Sequence, residues 1–560
     1  MNPGPACISP NRKLAVLILA LFILFLRCDD LFFNPQFRAE DGGKFFMDAL
    51  NLGDRALTQP YMGYHHGVPR VVAALALEYL PLRHIPAAFN LAALLVHLYL
   101  VGLAMSRRNP LPHRIGLALA LVLLPTSGTA FLHLTDIQTW LALGLVLQLI
   151  ARPPTRWFER VQDVVYLIAA GTTGPFILLF APLFIFIGLR RRDWPTVVIV
   201  IALSIVQGVA LAGTRITPVT ATQTAPLVWA QFFGGRTAGL LLLGVPLSAE
   251  LVRVAVVGWA MAGASVLIYV AALTVAPRAH RACIALVLLA GLIVITSTAF
   301  AHRSQATSFE NLMGEPGNRY AIIPAITIMW AFIVGASSPG WRGRLSKLTV
   351  VTILLAAATN FRKEPIPDFE WARCSSFIER GLPTDIPTEP YWRLSFRPNY
   401  ASPFERLAKY REVLDLTFGK AVVDFEPMYF GPVLVPLDGS NLLAVDATVR
   451  IRLPIPPAAR RFRVDVAARD SGTPHARDSG LVFRITWQPD DASRPEWVLN
   501  LLTIRPLIDL LDEGLKPGVR RIEAELPPDL TGHLVLSATP THGLPEQSDW
   551  QGLWSMPRFE

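Results

Sequence analysis

Charge and cysteine are both scarce in this chain. Charged residues make up 17% of its 560 residues, against about 25% in an ordinary soluble domain. The shortage is uneven: up to about Asn360 the sequence alternates apolar blocks with short polar links, and beyond it the composition is that of a soluble chain. One integral membrane domain followed by one water-soluble domain is therefore expected. The four cysteines, Cys7, Cys28, Cys283 and Cys374, show no paired spacing, so neither a disulfide framework nor a cysteine metal site is indicated. A Walker-type glycine loop, a GxSxG elbow and an HExxH helix are all missing, which removes the motif-bearing nucleotide hydrolases, α/β-hydrolases and zinc proteases. No small-residue cleavage site follows the first apolar run, LAVLILALFILFL, so this run reads as an uncleaved membrane helix, not a signal peptide.

What is abundant is apolar sequence, with a mean hydropathy of +0.41. Runs suited to membrane helices fall at about 14–27, 84–105, 114–132, 137–151, 161–171, 175–189, 194–213, 252–275, 280–299, 319–336 and 345–359. The net charge of +9 is carried mostly by arginine. Basic patches interleaved with aromatics, as nucleic-acid binding needs, are absent, so no nucleic-acid partner is expected. Instead the basic residues gather in alternate links, at 106–114, 152–160, 190–192, 277–281 and 341–347. A cytoplasmic N-terminus puts every one of these links on the cytoplasmic side. The odd number of spans then leaves the C-terminal part outside. The least regular spans are 161–171 and 175–189, broken by Gly171-Thr172-Thr173-Gly174-Pro175; fusing them would reverse everything downstream. The outer links become 28–83, 126–136, 214–250 and 300–318.

Three domains are expected: a multi-span membrane domain over 1–360 with its first outer loop at 28–83, a proline- and aromatic-rich connector over 361–417, and a β domain over 418–560. The last contains short alternating runs such as RFRVDVAAR, GLVFRITW and HLVLSAT. Period-two alternation over several runs predicts an antiparallel sandwich of jelly-roll type. Trp487, Trp497, Trp550 and Trp554 are either its core or platforms for sugar rings.

Polar chemistry concentrates in Arg38–Arg70, RAEDGGKFFMDALNLGDRALTQPYMGYHHGVPR. Glu40 and Asp41 precede Gly42-Gly43, the helical pattern starts at Lys44, and apolar residues recur at three- and four-residue steps from Phe46 to Leu57, as in a helix over Lys44 to Leu57 lying on a membrane surface. The acids either stabilise that helix's N-terminus or serve as catalytic carboxylates. Tyr64, His65 and His66 follow, and Pro69 suits the first turn of another helix. Adjacent histidines point in different directions on a helix and so do not build a metal site by themselves. Asp136, in HLTDIQTW, is placed to cap the helix after it, or to be a second acid lining an outer cavity. Glu78 and His97 fall within apolar blocks, where ionisable groups are uncommon.

The order of first helix, outer loop with an acid pair, surface helix and Pro-Tyr-x-Gly-Tyr resembles the GT-C superfamily of polytopic glycosyltransferases. The stretch that carries it runs from Ala39-Glu40-Asp41-Gly42-Gly43 to Pro60-Tyr61-Met62-Gly63-Tyr64, with Gly317-Asn318-Arg319-Tyr320 entering a late helix. The resemblance covers the layout of the membrane region, and specific motifs cover a small part of it. It implies a membrane glycosyltransferase using a polyprenyl-phosphate-linked sugar donor and a glycan or lipid acceptor, on the periplasmic side of a bacterial inner membrane. It also implies a first-loop Asp as general base, here Asp41 with Glu40 as fallback. A leaving phosphate gains charge and needs a fixed cation. The arginine fork suits it, and Arg319 is the first choice, with Arg303, beside His302, and Arg70 and Arg236 as further candidates. Tyr64, His65 and His66 are candidate substrate contacts. Some GT-C enzymes use a divalent cation and others do not; both cases stay open. Rival readings are a lipid-linked glycan transporter or flippase, a surface polysaccharide polymerase or ligase, and an anchoring protein built around the β domain.

Overall fold

A computed structural model describes residues 8–126, 130–213, 226–301, 318–359, 361–363, 365–388, 392–418, 424–425, 433–437, 440–446, 450–457, 459–469, 481–489, 497–504, 520–526, 532–540, 551–555 and 557–560. They form two compact units: the first takes residues 1–35, 48–80 and 85–366, the second 36–47, 81–84 and 367–560.

The first unit is helical. Helices run over Pro10–Arg27, Gly67–Tyr79, Ile85–Ala104, Ile137–Ile150, Trp157–Gly171, Phe176–Arg191, Trp194–Gly213, Ala255–Val275, Arg281–Ala301, Asn318–Gly335 and Trp341–Ala358, with shorter pieces between them. By length and composition, four segments among the described residues can cross a membrane: Leu82–Ala104, Trp194–Gly213, Ala255–Val275 and Arg281–Thr298. Ile137–Ile150 and Arg319–Gly335 are apolar but shorter. The two kinds differ in surroundings. Ile137–Ile150 is buried on nearly all sides, with Trp140 fully enclosed, as expected of a helix that is apolar all round. Trp194–Gly213 and Ala255–Val275 instead expose apolar flanks such as Val198, Val209 and Leu267. Continuous apolar flanks of this kind call for a non-aqueous cover.

Local sequence sets the helix limits. Glu159 accepts from the backbone N–H groups of Thr155 and Arg156, closing a capping box at the start of Trp157–Gly171. Residues 157–171 and 176–191 are two helices, separated at Gly174, whose φ is +81°. Within the basic links, Arg108 grips Asp163 through two parallel hydrogen bonds of 2.7 and 2.6 Å, and Arg107 and Arg160 pair with Glu159 and Asp193.

One expected span is corrected. In place of a single helix over 114–132, the helix is Arg114–Ala120, followed by turns through Leu121–Thr126. The cause is Pro125, which disfavours helical backbone before it and cannot donate. The freed carbonyls are satisfied by Arg27: its guanidinium donates to Val122 at 3.3 Å, Leu124 at 3.1 Å and Thr126 at 2.7 Å. It also stacks over Phe131 at 4.3 Å and Phe361 at 5.0 Å. A buried cation on buried carbonyls lets irregular backbone persist inside an apolar unit.

The second unit holds two sheets. The strands are β1 (Thr384–Thr388), β2 (Trp392–Phe396), β3 (Asp424–Phe425), β4 (Val433–Leu437), β5 (Ser440–Asp446), β6 (Arg450–Pro454), β7 (Arg461–Arg469), β8 (Leu481–Gln488), β9 (Trp497–Ile504), β10 (Arg520–Glu525), β11 (His533–Pro540), β12 (Gln551–Trp554) and β13 (Arg558–Phe559). One sheet has the order β10-β7-β12-β5-β4-β1-β2, with β13 also on β7; the other is β3-β6-β11-β8-β9. Among the described residues, pairing is antiparallel except for the β1–β4 contact. In β7 the alternation is direct: Phe462, Val464 and Val466 face the core, while Arg463 and Asp465 carry ion pairs to Glu523 and Arg521. Both sheets contribute to this core, with Leu434 and Ile522 from one and Ile451, Phe483 and Leu534 from the other. Trp554 is core, not a sugar platform, and Trp487 lies at the core margin. Trp550 and the side chain of Trp497 lie outside the described residues. The stretch 361–417 contains the helix Trp371–Glu379, β1, β2 and most of the helix Pro403–Phe418.

Candidate active site

Asp41 belongs to the second unit, as does Glu40. Asp41 opens a π-helical turn, Asp41–Phe46, and is 2% exposed, while Glu40 is half-buried. The backbone N–H of Asp41 donates to the carbonyl of Arg38 at 2.8 Å, and that of Gly43 to the carbonyl of Ala39 at 3.1 Å. Ala39 has φ of +40°, costly for a residue with a Cβ. Aromatic packing holds this turn: Phe37 meets Trp371 at 4.7 Å and Phe46 at 5.1 Å, and Phe46 meets Trp371 at 5.5 Å. Gly42 is required here, since a Cβ at that position would lie 2.9 Å from Cβ of Phe37. The surface helix expected from Lys44 to Leu57 is three consecutive pieces: the π turn, an α-helix Met47–Leu52 and a 3₁₀ helix Gly53–Thr58.

The remaining described candidates lie in the first unit. Tyr61 and Tyr64 exchange backbone hydrogen bonds at 3.0 and 3.2 Å around Met62 and Gly63, both with positive φ. That is the backbone of a primed two-residue turn, with glycine at one of its left-handed positions. The turn packs both tyrosines against His66 with tilted rings, at ring distances of 5.8 and 4.7 Å. Burial, and then the charge of Arg70, lower the pKa of His66 to about 3; the charge of Arg319 acts in the same direction. His66 is therefore neutral at physiological pH. His65 is more open, and its pKa is also lowered by burial and by Arg70.

Arg70 is 1% exposed and donates to Asp48 at 3.0 Å. Leaving a guanidinium buried without its carboxylate would be costly, so this pair holds the helix Gly67–Tyr79 against the Met47–Leu52 segment. Gln207 performs a second anchoring. It is fully buried in Trp194–Gly213; its Oε1 accepts from the backbone N–H of His65 at 2.8 Å, and its Nε2 donates to Gly171 at 3.1 Å and Gly174 at 3.2 Å. Backbone bonds from Gly174 to His65 and from Gly67 to Thr172 complete the junction. The histidine loop and the Gly171–Gly174 turn are thus one structure. Gly174 faces Gln138, whose Oε1 would be 2.6 Å from a Cβ placed there.

Gln138 leads to Asp136, which departs from the capping role expected of it. Its side chain makes no cap bond to the helix Ile137–Ile150. It lies 3.7 Å from the guanidinium of Arg319 at the start of the Asn318–Gly335 helix. Arg319 also donates to its neighbour Tyr320 at 3.3 Å. The segment carrying Asp136 is held further by Lys363, whose ammonium is 3.0 Å from Nε2 of His133. Since an ammonium only donates, that nitrogen presents its lone pair.

Tyr61, Tyr64, His65, His66, Arg70, Asp136 and Arg319 are accordingly gathered in one unit with Gln138, and Asp48 and Gln207 are partners the sequence did not single out. Gln207 carried a signal: a strongly polar side chain within a long apolar helix. Arg236 is buried in another π-helical turn, Gly235–Gly239. Arg303 and His302 lie outside the described residues. Among the described residues, no three His, Cys, Asp or Glu side chains gather into a cage for a metal ion; a cation held mainly by substrate phosphates would need only one or two carboxylates.

No protein-family model matches the chain, and no curated protein matches it. Among solved structures it aligns with the arabinofuranosyltransferase AftD from Mycobacteria, determined by single-particle cryo-EM as an R1389S mutant. The identity is 11% and the TM-score 0.35, over 99% of this chain and 62% of AftD.

Proposed function

We propose that this protein is a membrane glycosyltransferase of the GT-C type. It transfers a sugar from a polyprenyl-phosphate carrier to a hydroxyl of a glycan or lipid acceptor on the periplasmic side of a bacterial inner membrane. It crosses the membrane about 11 times, the crossing at 114–132 being helix and then turns, with a cytoplasmic N-terminus and a periplasmic jelly-roll-like sandwich. The observation that carries it is the convergence of the histidine loop, the Gly171–Gly174 turn, the His133–Gln138 segment and Arg319 into one polar cluster of an otherwise apolar unit.

In this reaction the acceptor oxygen attacks the anomeric carbon and the bond from that carbon to the phosphate oxygen breaks. The electron pair leaves with the polyprenyl phosphate, and the hydroxyl proton passes to a carboxylate. Asp41 is that base, with Glu40 as the fallback, and the displacement inverts the anomeric centre. Arg319 meets the charge that grows on the phosphate, and Asp136 orients it. Tyr64 and His65 contact the substrate; His66, neutral, contacts it as a hydrogen-bonding group and not as a cation. Arg303 is a second phosphate contact. Arg70 acts through its ion pair with Asp48 as a positioning residue.

The test is label transfer in proteoliposomes, using a panel of polyprenyl-phosphate sugars labelled in the sugar and a crude envelope acceptor. Label moving from the chloroform-soluble carrier to the acceptor supports the enzyme. Carrier that crosses the bilayer intact, with no label transferred, supports a flippase and overturns this reading.

A further inference from the structure

We propose that an anionic glycerophospholipid seats in a groove at the Lys- and Arg-rich end of the helical unit, away from the polar cluster above. The groove has a volume of about 860 Å³, within the range of roughly 300–1,000 Å³ typical of small-molecule sites. It lies between the Arg114–Ala120 helix with the turn that follows it and the helices Asn318–Gly335 and Trp341–Ala358.

The polarity of the groove follows from the direction of these helices. Arg114–Ala120 and Trp341–Ala358 begin at the basic end, and Asn318–Gly335 finishes there. His113, Arg114 and Lys347 therefore line one end, and Leu123, Met329 and Leu354 the other. Among the described residues, no acid lines it. Lys347 and His113 are exposed and make no ion pair among the described residues, whereas Arg114 is nine-tenths buried. The floor is apolar: Ile333 lies 3.2 Å from where a Cβ on Gly116 would be, and Val351 stands exposed on the wall.

A cationic rim over an apolar trough matches a phosphate with an acyl chain beneath it. Basic pockets between membrane helices recognise anionic headgroups in this manner. From Lys347 to Leu354 the helix rises about 10 Å at roughly 1.5 Å per residue. That length accepts the upper part of one acyl chain and releases the rest to the bilayer; on the proposed function the prenyl-phosphate donor belongs at Arg319, at the other end of the Asn318–Gly335 helix, which leaves this groove to a bilayer phospholipid.

The test uses the full chain in nanodiscs of phosphatidylcholine and phosphatidylglycerol, followed by native mass spectrometry of the lipids that stay bound. Retained phosphatidylglycerol should exceed its share of the bilayer. Lys347→Gln should reduce that enrichment about fivefold, as expected for removal of one basic residue from an anionic lipid site. Val351→Trp, at an exposed position, should remove the retained lipid by filling the trough. Unchanged enrichment in both variants overturns the proposal, as does displacement of phosphatidylglycerol by equimolar undecaprenyl phosphate.

Discussion

Arg319 and Asp136 stand 3.7 Å apart, guanidinium to carboxylate, with Asp136 buried and Arg319 about a quarter exposed. A partly open arginine held by a buried acid is oriented and yet can still be reached by a second anion. Arg319→Ala should reduce sugar transfer about 100-fold, the usual loss on deleting one preorganised charge-stabilising group. Arg319→Lys should recover little of it, because an ammonium lacks the planar fork. Steady-state transfer rates in matched proteoliposomes measure both, and a wild-type rate in Arg319→Ala contradicts the role.

The Arg70–Asp48 pair makes a prediction about stability. Asp48→Ala leaves a guanidinium that is 1% exposed without this carboxylate and should destabilise the helical unit by about 3 kcal/mol. Asp48→Leu combined with Arg70→Met should regain most of that loss. Thermal melts in one detergent compare the three proteins; an Asp48→Ala melt equal to wild type would show that the pair contributes nothing.

Gln207 predicts local dynamics. Gln207→Leu removes the acceptor for His65 N–H and the donor for Gly171 and Gly174. Unsatisfied buried groups of this kind cost about 1–3 kcal/mol each. Hydrogen exchange at the His65 amide should accelerate in the variant, while amides in Ile137–Ile150 keep wild-type protection. Equal protection at His65 in both proteins would dissociate Gln207 from the histidine loop.

His66 predicts a pH dependence. Its folded pKa is lowered to about 3 from 6.5, so between these values the unfolded chain holds a proton that the folded chain does not. Stability from this group is complete above pH 6.5 and falls as the pH drops, by about 1.4 kcal/mol per unit. The melting temperature should therefore decline from pH 6.5 to pH 5, and the decline should be shallower in His66→Gln. Parallel slopes would mean that His66 is not buried neutral.

Much of the helical unit was legible because apolar runs and their punctuation are local properties. The Gly174-Pro175 break separates two helices where the sequence has its turn residues. Pro125 ends the Arg114–Ala120 helix for the same local reason, although the apolar run around it read as a span. The carbonyl clamp from Arg27 that makes the break tolerable could not be read, because it joins residues far apart in the chain. The polar cluster divides in the same way. Arg319, Tyr64, His65 and His66 stood out from an apolar background. Asp136 read as a cap because its sequence neighbours fit a cap, and its partner Arg319 comes from a distant helix. Asp48 and Gln207 were passed over, though a glutamine inside an apolar helix is visible to inspection. In the second unit, the alternation of β7 gave its buried face directly, while the strand order depends on long-range pairing that alternation does not encode.

The central claim, sugar transfer with a first-loop carboxylate as base, is tested most directly by label transfer with Asp41→Asn and Glu40→Gln, singly and together, in proteoliposomes. Transfer by wild type, its loss by about 100-fold or more in Asp41→Asn, and its survival in Glu40→Gln are the predicted results. Full transfer by the double variant would contradict the assignment.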